Sequence, residues 1–308
     1  MLSRALRRSL ALEVALYVAL AIYGCDASPA AAAGVALAGV LALRATLTAV
    51  TYAWAWAYHS PAPPLSPGQA VRMVLGEYAS CVLSFVLIFP FERWWMAPDR
   101  LSGGADQAAG RPGARPPVLL VHGYSCSRAA WWWLRRRLEA AGWRVATISL
   151  EPIYGSIDDF VEPLARRIAA VLAETGAERL LLVGHSMGGL VARAYLQRHG
   201  ATRVERLVTL GTPHQGSRIA HIGLGENARQ MQPDSAWLQA LASPAPLLDT
   251  RVIYSPHDNF VMPQERLLLP GATSQAIAGV GHLAMLYSPR VARALLAALA
   301  GTRGTGAT

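Results

Sequence analysis

Residues 117–302 alternate between short apolar runs and longer segments with helical spacing, and this alternation limits the possible fold more than any other feature. The apolar runs predict strands at 118–121, 144–150, 179–183, 204–210, 251–255 and 275–278. The segments between and after them predict helices at 129–141, 157–174, 187–198 and 289–300. Short apolar strands separated by helices form a mostly parallel sheet with helices on both faces. We therefore predict an α/β fold for this part of the chain.

The first 100 residues are much more apolar than the rest. Long apolar segments occupy 9–24, 29–58 and 73–90, and a transmembrane helix needs roughly 20 apolar residues. The first segment follows several arginines and could instead belong to a signal peptide. We favour a retained α-helical transmembrane region of two to three spans, because apolar sequence continues beyond this segment. The chain's mean hydropathy of +0.28 agrees with partial burial in lipid.

Two charges inside the apolar segments need partners in a bilayer, and we expect Arg44 and Glu77 to pair with each other. The arginines near the N-terminus favour a cytoplasmic start, as in a bacterial inner-membrane protein. Three spans would place residues 117–302 outside the cytoplasm and two would leave them inside; we favour three. The Gly-, Ala- and Pro-rich stretch 101–116 is predicted to be a linker.

The net charge of +9 does not indicate nucleic-acid binding, because the arginines are scattered and no basic run interleaves with aromatic residues. The chain has 3 cysteines, none of them paired at metal-ligand spacing. We therefore expect neither a metal nor a cofactor. The oligomeric state stays open.

The segment Gly184-His185-Ser186-Met187-Gly188-Gly189 lies between a predicted strand and a predicted helix. This G-x-S-x-G pattern in this context is typical of a nucleophile elbow, a sharp turn that exposes a serine hydroxyl at a helix N-terminus. Gly184 and Gly188 leave room for the turn. Ser186 is therefore the candidate nucleophile, and His185 is expected to be a supporting residue.

An activated serine needs a base, and the base needs an acid that orients it. Asp258 and His282 each follow a predicted strand downstream of Ser186, where sites of open α/β sheets lie. Their order in the chain fits Ser, then Asp, then His. Asp234 is the reserve candidate for the acid. His257, His214 and His221 fit this order or geometry less well.

A tetrahedral intermediate needs two N–H donors for its oxyanion. We assign them to the backbone of Met187, after the nucleophile, and of Tyr124, in the loop after the first strand. In that loop Gly123 lets the chain pass close to the substrate, and His122 is expected to support it.

Three motifs together resemble bacterial triacylglycerol lipases of the α/β-hydrolase superfamily: His122-Gly123, the elbow, and Leu210-Gly211-Thr212-Pro213-His214-Gln215-Gly216-Ser217. The resemblance covers about 117–300 and implies an α/β-hydrolase fold with lipase or esterase activity. It also implies a lid, and residues 214–246 are expected to form a short cap. Some such lipases bind calcium, but no set of ligand acids matches here.

The sequence thus predicts a membrane-anchored serine carboxylic-ester hydrolase that acts on acyl-ester or lipid substrates through Ser186, His282 and Asp258. Residues 117–302 would form the catalytic domain. A thioesterase, an amidase or an acyltransferase could use the same triad. An alternative of another class is a non-catalytic hydrolase-fold scaffold in a membrane complex.

Overall fold

Six parallel strands form one sheet in the computed structural model, which describes residues 1–101, 115–242 and 248–301. The strand order is β2-β1-β3-β4-β5-β6. The strands are β1 Val118–Val121, β2 Val145–Ile148, β3 Leu180–His185, β4 Val204–Leu210, β5 Thr250–Tyr254 and β6 Thr273–Ala276. All five neighbouring pairs are parallel. The predicted parallel sheet is therefore confirmed. Most of the predicted linker 101–116 lies outside the described residues.

Helices cover both faces of the sheet because successive strand side chains point to opposite faces. Leu120 of β1 contributes to a core with α5 Trp132–Ala140 and α10 Pro289–Leu299. Leu119 contributes to a second core with α6 Val161–Thr175 and α7 Met187–His199. Each fully buried aliphatic side chain stabilises the fold by about 1.5–3 kcal/mol.

Short 3-10 turns precede two of these helices, at Arg128–Trp131 and Ile157–Phe160. A capping box is present at the second turn. Ser156 Oγ accepts the backbone N–H of Asp158, and Asp159 Oδ2 accepts the backbone N–H of Ser156.

Three long helices precede the sheet: α1 Leu2–Cys25, α2 Pro29–Ala57 and α3 Pro67–Val82, which continues as a π-helical turn Leu83–Ile88. A short α4 follows at Glu92–Trp95. Segments 29–57 and 67–88 are long and apolar enough to cross a membrane. Core helices of soluble proteins and signal sequences meet the same criterion of length and composition.

The expected Arg44–Glu77 pair is wrong. Arg44 lies on the buried stripe of α2 and forms an ion pair with Glu13 of α1, because α1 and α2 pack along each other. Glu77 faces the other way, toward the sheet-containing part of the chain, where backbone N–H groups of Leu283 and Ala284 bind its carboxylate.

The predicted cap region contains a 3-10 turn Arg218–Ile222, α8 Glu226–Gln230 and α9 Ala236–Leu241, while residues 243–247 lie outside the described part. The apolar residues of this region face in different directions. Leu238 and Leu241 of α9 are buried in the second core. Ile222, the last residue of the 3-10 turn, and Leu224 beyond it are exposed.

Candidate active site

Ser186 occupies the sharp turn between β3 and α7. Its backbone has φ 54° and ψ −129°, a conformation that an L-residue adopts only when its surroundings impose it. The Ser186 N–H donates to the Leu210 carbonyl at 2.9 Å, which ties the turn to β4. The side chain is partly exposed at the carboxyl end of the sheet, as a nucleophile elbow requires.

Two glycines allow this turn by close approach of the backbone. A Cβ on Gly184 would lie 2.6 Å from the Gly188 carbonyl carbon. A Cβ on Gly188 would lie 2.6 Å from the His122 carbonyl oxygen. A side chain at position 184 would therefore collide with the first turn of α7, and one at position 188 would push the elbow away from β1 and from the loop that follows it.

Asp258 and His282 form a buried hydrogen-bonded pair in the loops after β5 and β6. His282 Nδ1 lies 2.8 Å from Asp258 Oδ2, and Asp258 is fully buried. Asp258 Oδ1 accepts the backbone N–H groups of Phe260 and Val261, each at 2.8 Å. With both carboxylate oxygens occupied, the proton of His282 lies on Nδ1 and its Nε2 is free to accept one.

The pKa of His282 is raised above its ordinary value. Burial alone would lower the pKa, but the negative charges of Asp258 and Glu77 and the Asp258 hydrogen bond raise it. A histidine beside a fixed carboxylate is a stronger base than free imidazole, which suits proton abstraction from a hydroxyl.

The loop after β1 lies against Ser186. A Cβ on Gly123 would lie 2.7 Å from Ser186 Cβ and 3.3 Å from its Oγ, so only glycine fits there. Within the described residues, the backbone N–H groups of Tyr124 and Met187 donate to no other group. Two unpaired N–H groups beside Ser186 could bind an oxyanion.

His122 fixes the shape of this loop. Its Nε2 accepts the Leu150 N–H at 2.9 Å, so its Nδ1 carries the proton and donates to the Gly123 carbonyl at 2.9 Å. Burial lowers the pKa of His122 to about 4, so the ring is neutral near pH 7. His185 lies 4.8 Å from the His282 ring, between centroids, and burial lowers its pKa as well.

No hydrogen bond joins Ser186 Oγ to His282 among residues 1–101, 115–242 and 248–301. In enzymes without a bound substrate this contact is commonly long and shortens in the Michaelis complex. The elbow and the dyad are nevertheless neighbours, because His185 Nε2 lies 3.3 Å from the His282 carbonyl oxygen.

Comparisons with known proteins identify the fold. A family model for the alpha/beta hydrolase fold matches residues 116–260. The Bacillus licheniformis lipase BlEst2 superposes with a TM-score of 0.55 at 20% identity, over 62% of this chain and 95% of that one. Aspergillus fumigatus lipase B also gives 0.55, at 17% identity, over 66% of this chain and 59% of that one. This chain has the α/β-hydrolase fold.

Among curated sequences, the α/β-hydrolase part resembles lipases. It is 33% identical over 147 residues to a triacylglycerol lipase of Burkholderia plantarii, covering 41% of this chain and 40% of that protein. It is 34% identical over 116 residues to a triacylglycerol lipase of Pseudarthrobacter phenanthrenivorans, covering 34% of this chain and 35% of that one. The chain thus spans about two fifths or less of the length of these relatives.

The stretch 210–217, which the sequence analysis compared with lipases, passes directly beside the Asp258–His282 pair. A Cβ on Gly211 would lie 3.3 Å from His282 Nδ1 and 3.4 Å from Asp258 Oδ2. His214 is buried elsewhere, with Nε2 3.0 Å from Thr209 Oγ1, and is not part of the site. The reserve acid, Asp234, is exposed and lies 3.6 Å from Arg266, not at His282.

Two residues that contact the His282 loop were missed by the sequence reasoning. Asn259 accepts the His282 backbone N–H at 3.0 Å through Oδ1 and is fully buried. Its position directly after Asp258 was the available signal. Glu77 lies against the same loop, and nothing in the order of the chain indicated that contact.

Proposed function

We propose that this α/β-hydrolase is a membrane-anchored serine carboxylic-ester hydrolase acting on acyl-ester or lipid substrates. The observation that carries the proposal is the juxtaposition of a strained, partly exposed Ser186 with the buried His282–Asp258 pair. The similarity to triacylglycerol lipases supports the ester class. Residues 117–302 would be the catalytic domain, with the cap at 214–246, and residues 1–100 would anchor it.

In the proposed reaction, Ser186 Oγ attacks the ester carbonyl carbon while His282 Nε2 takes the hydroxyl proton. The carbonyl oxygen becomes an oxyanion that the backbone N–H groups of Tyr124 and Met187 bind. Collapse of the intermediate breaks the ester C–O bond, and His282 returns the proton to the departing alcohol. Water then attacks the acyl-enzyme in the same way, which releases the acid and restores Ser186.

The surface beside the oxyanion loop favours an apolar acyl group. The Tyr124 hydroxyl donates to the Leu224 carbonyl at 2.9 Å, so the exposed part of the cap adjoins the loop. Exposed Ile222 and Leu224 lie in this part, and Tyr154 is 5.8 Å from Tyr124 between ring centroids. Apolar surface of this kind suits an aliphatic chain better than a polar substrate.

The proposed membrane anchor rests on the outer faces of the three long helices. These faces carry many exposed large apolar side chains, among them Leu12, Leu16, Leu20, Leu37, Leu43, Leu47, Val71 and Leu75. Soluble monomers rarely expose contiguous apolar surface of this extent. We place the protein in a bacterial inner membrane, with the catalytic domain outside the cytoplasm if α1 also spans.

Ester hydrolysis tests the function directly. The full chain in detergent is assayed with p-nitrophenyl esters of increasing acyl length, beside Ser186→Ala and the exposed-serine control Ser149→Ala. We expect long chains to be preferred and kcat to fall by roughly 10⁴-fold or more in Ser186→Ala only. Turnover of short chains alone would indicate a small-ester esterase.

A fluorophosphonate probe separates the remaining alternatives. Labelling of Ser186 without ester turnover would point to a thioester, an amide or an acyl-transfer reaction. Neither labelling nor turnover would refute the hydrolase proposal and favour the scaffold. The anchor is tested by an alkaline carbonate wash of membranes, which must leave the chain in the pellet.

A further inference from the structure

Glu77 is an acidic residue in the middle of an apolar helix, yet it faces neither solvent nor a lysine or arginine of the described residues. It is 1% exposed. No cation lies within ion-pair distance of its carboxylate among the residues that the structure describes. A buried carboxylate without a counter-ion is costly unless hydrogen-bond donors compensate it, so its donors indicate what it does.

Both carboxylate oxygens of Glu77 bind the loop that carries His282. The Leu283 N–H donates to Oε1 at 3.0 Å and the Ala284 N–H donates to Oε2 at 2.8 Å. These two amides directly follow His282 in the chain. A carboxylate that accepts two adjacent amides fixes the path of the backbone between them.

The residue before His282 is shaped for the same contact. A Cβ on Gly281 would collide with the Glu77 carboxylate and would lie 2.7 Å from the Tyr52 hydroxyl of α2. The loop therefore approaches α2 and α3 as closely as a glycine backbone permits. The Glu77 carboxylate thus lies against the loop on both sides of His282, at Gly281 and at the two amides that follow.

A second tie from the N-terminal helices reaches His282 through Asn259. The Asn259 amide donates to Thr51 Oγ1 of α2 at 2.7 Å, while its Oδ1 accepts the His282 N–H at 3.0 Å. Thr51 in turn donates to the Thr48 carbonyl at 2.8 Å. Helix α3 thus binds the backbone next to His282 directly through Glu77, and α2 reaches the His282 N–H through Asn259.

We propose that Glu77 is a positioning residue for the active-site base: it fixes the His282 loop and adds a negative charge behind the imidazole. The inference rests on the proposed function, since it assigns His282 the role of base. It gives the N-terminal helices a part in catalysis as well as in anchoring.

The negative charge of Glu77 affects the pKa of His282, whereas fixing the loop would not by itself change that pKa. Among the described residues, the ionisable groups around His282 are Asp258 after β5, His185 at the end of β3, Glu77 on α3 and Tyr52 on α2, whose hydroxyl lies beside Gly281. The two carboxylates raise the pKa of His282. Removing one of them lowers this pKa, so the deprotonated base persists to lower pH.

Glu77→Gln tests both effects, because the amide keeps the size of the side chain but loses the charge and presents NH₂ to one of the two donors. The matched control is Ser84→Ala, which removes a 2.8 Å hydrogen bond from the same helix segment to Tyr287 without touching residues 281–284. In detergent, we expect Glu77→Gln to lower kcat by about 100-fold with KM unchanged. The acid limb of its kcat/KM profile should move to lower pH, and Ser84→Ala should show neither change.

NMR titration measures the pKa of each histidine ring without depending on turnover. The His282 signal is assigned as the one that is missing in His282→Ala. A lower His282 pKa in Glu77→Gln, unchanged in Ser84→Ala, supports the inference even if the wild type hydrolyses no ester. An unmoved pKa overturns it. If the wild type is active and Glu77→Gln matches Ser84→Ala in kcat and acid limb, the inference fails and the proposed function stands.

Glu77→Asp separates geometry from charge and serves if Glu77→Gln does not fold. The charge remains, but the carboxylate is one methylene too short to reach both amides. We expect kcat to fall while the acid limb stays in place. Wild-type kcat in Glu77→Asp would overturn the positioning role.

Discussion

Replacing Asp258 by asparagine should disable the base without disturbing the fold, and the structure indicates by how much. Asp258 Oδ1 accepts two buried backbone N–H groups, from Phe260 and Val261, and Oδ2 accepts from His282. An asparagine has only one acceptor oxygen. That oxygen can satisfy either the two amides or the histidine.

The asparagine oxygen should continue to accept from the two amides. Leaving two buried N–H groups unpaired costs about 1–3 kcal/mol each, or about 2–6 kcal/mol together. The asparagine NH₂ therefore faces His282 and donates to Nδ1, which forces the ring proton onto Nε2. In this tautomer Nε2 cannot accept the Ser186 proton. The asparagine can still turn its oxygen toward His282 and restore the productive tautomer, but this leaves the two amides unpaired. Because that orientation carries their full cost, kcat should fall between about 30-fold and about 10⁴-fold.

The assay is kcat for a p-nitrophenyl ester, together with the rate of fluorophosphonate labelling, which needs the same base. The control is Asp234→Asn, an exposed aspartate in the cap whose carboxylate lies 3.6 Å from Arg266. It should retain wild-type kcat. If Asp258→Asn keeps kcat within threefold of wild type, or if Asp234→Asn loses as much, the tautomer argument is wrong.

Three further predictions follow from other contacts. Activity should be lost as pH falls through the pKa of His282, because the base must be deprotonated, and its carboxylate neighbours raise this pKa above that of a free histidine. An acid limb of kcat/KM below the pKa of a free histidine would contradict this. Glu13→Arg and Arg44→Glu should each lower the Tm in detergent, and the double variant should recover it, because these two side chains pair; a swap of Arg44 with Glu77 should recover nothing. Tyr124→Phe loses the hydroxyl contacts to Leu224 but keeps the backbone N–H. The KM for long-chain esters should therefore rise, while kcat for short-chain esters should not change. An equal fall of kcat for long-chain and short-chain esters would argue against a role of the cap.

The sheet could be predicted well because its signal is local. Strands β1 and β4 have the predicted bounds, 118–121 and 204–210. Strand β1 is an uninterrupted apolar run, and the charged residues of β4 are confined to Glu205 and Arg206 near its start. The predicted Asp258 and His282 meet because the carboxyl ends of parallel strands share one edge of the sheet. The position of each residue directly after a strand was therefore enough to predict that the two side chains meet.

The contacts of the N-terminal helices could not be predicted in the same way. Periodicity shows that Glu77 is on an apolar helix but not what packs against that face. Its partner Leu283 is 206 residues further along the chain. From the sequence alone, the opposite charges of Glu77 and Arg44 predict that these two residues pair. In the structure α1 packs closely on α2, so Arg44 forms its ion pair with Glu13 instead. In the cap, the apolar pattern likewise did not reveal that Leu238 faces the core and Leu224 faces outward.

The separation of Glu77 from Leu283 also sets an order of events during synthesis. Helix α3 leaves the ribosome first, and the amides that it binds follow 206 residues later, a delay of roughly 10–40 s at ordinary rates of translation. Until then the carboxylate has no native donor, so the last contact of the catalytic loop is a long-range one. Closure of such distant contacts is slow. A chain that stops short of residue 284 would therefore lack the final bonds of its own active site, although Ser186 and the whole elbow were already present.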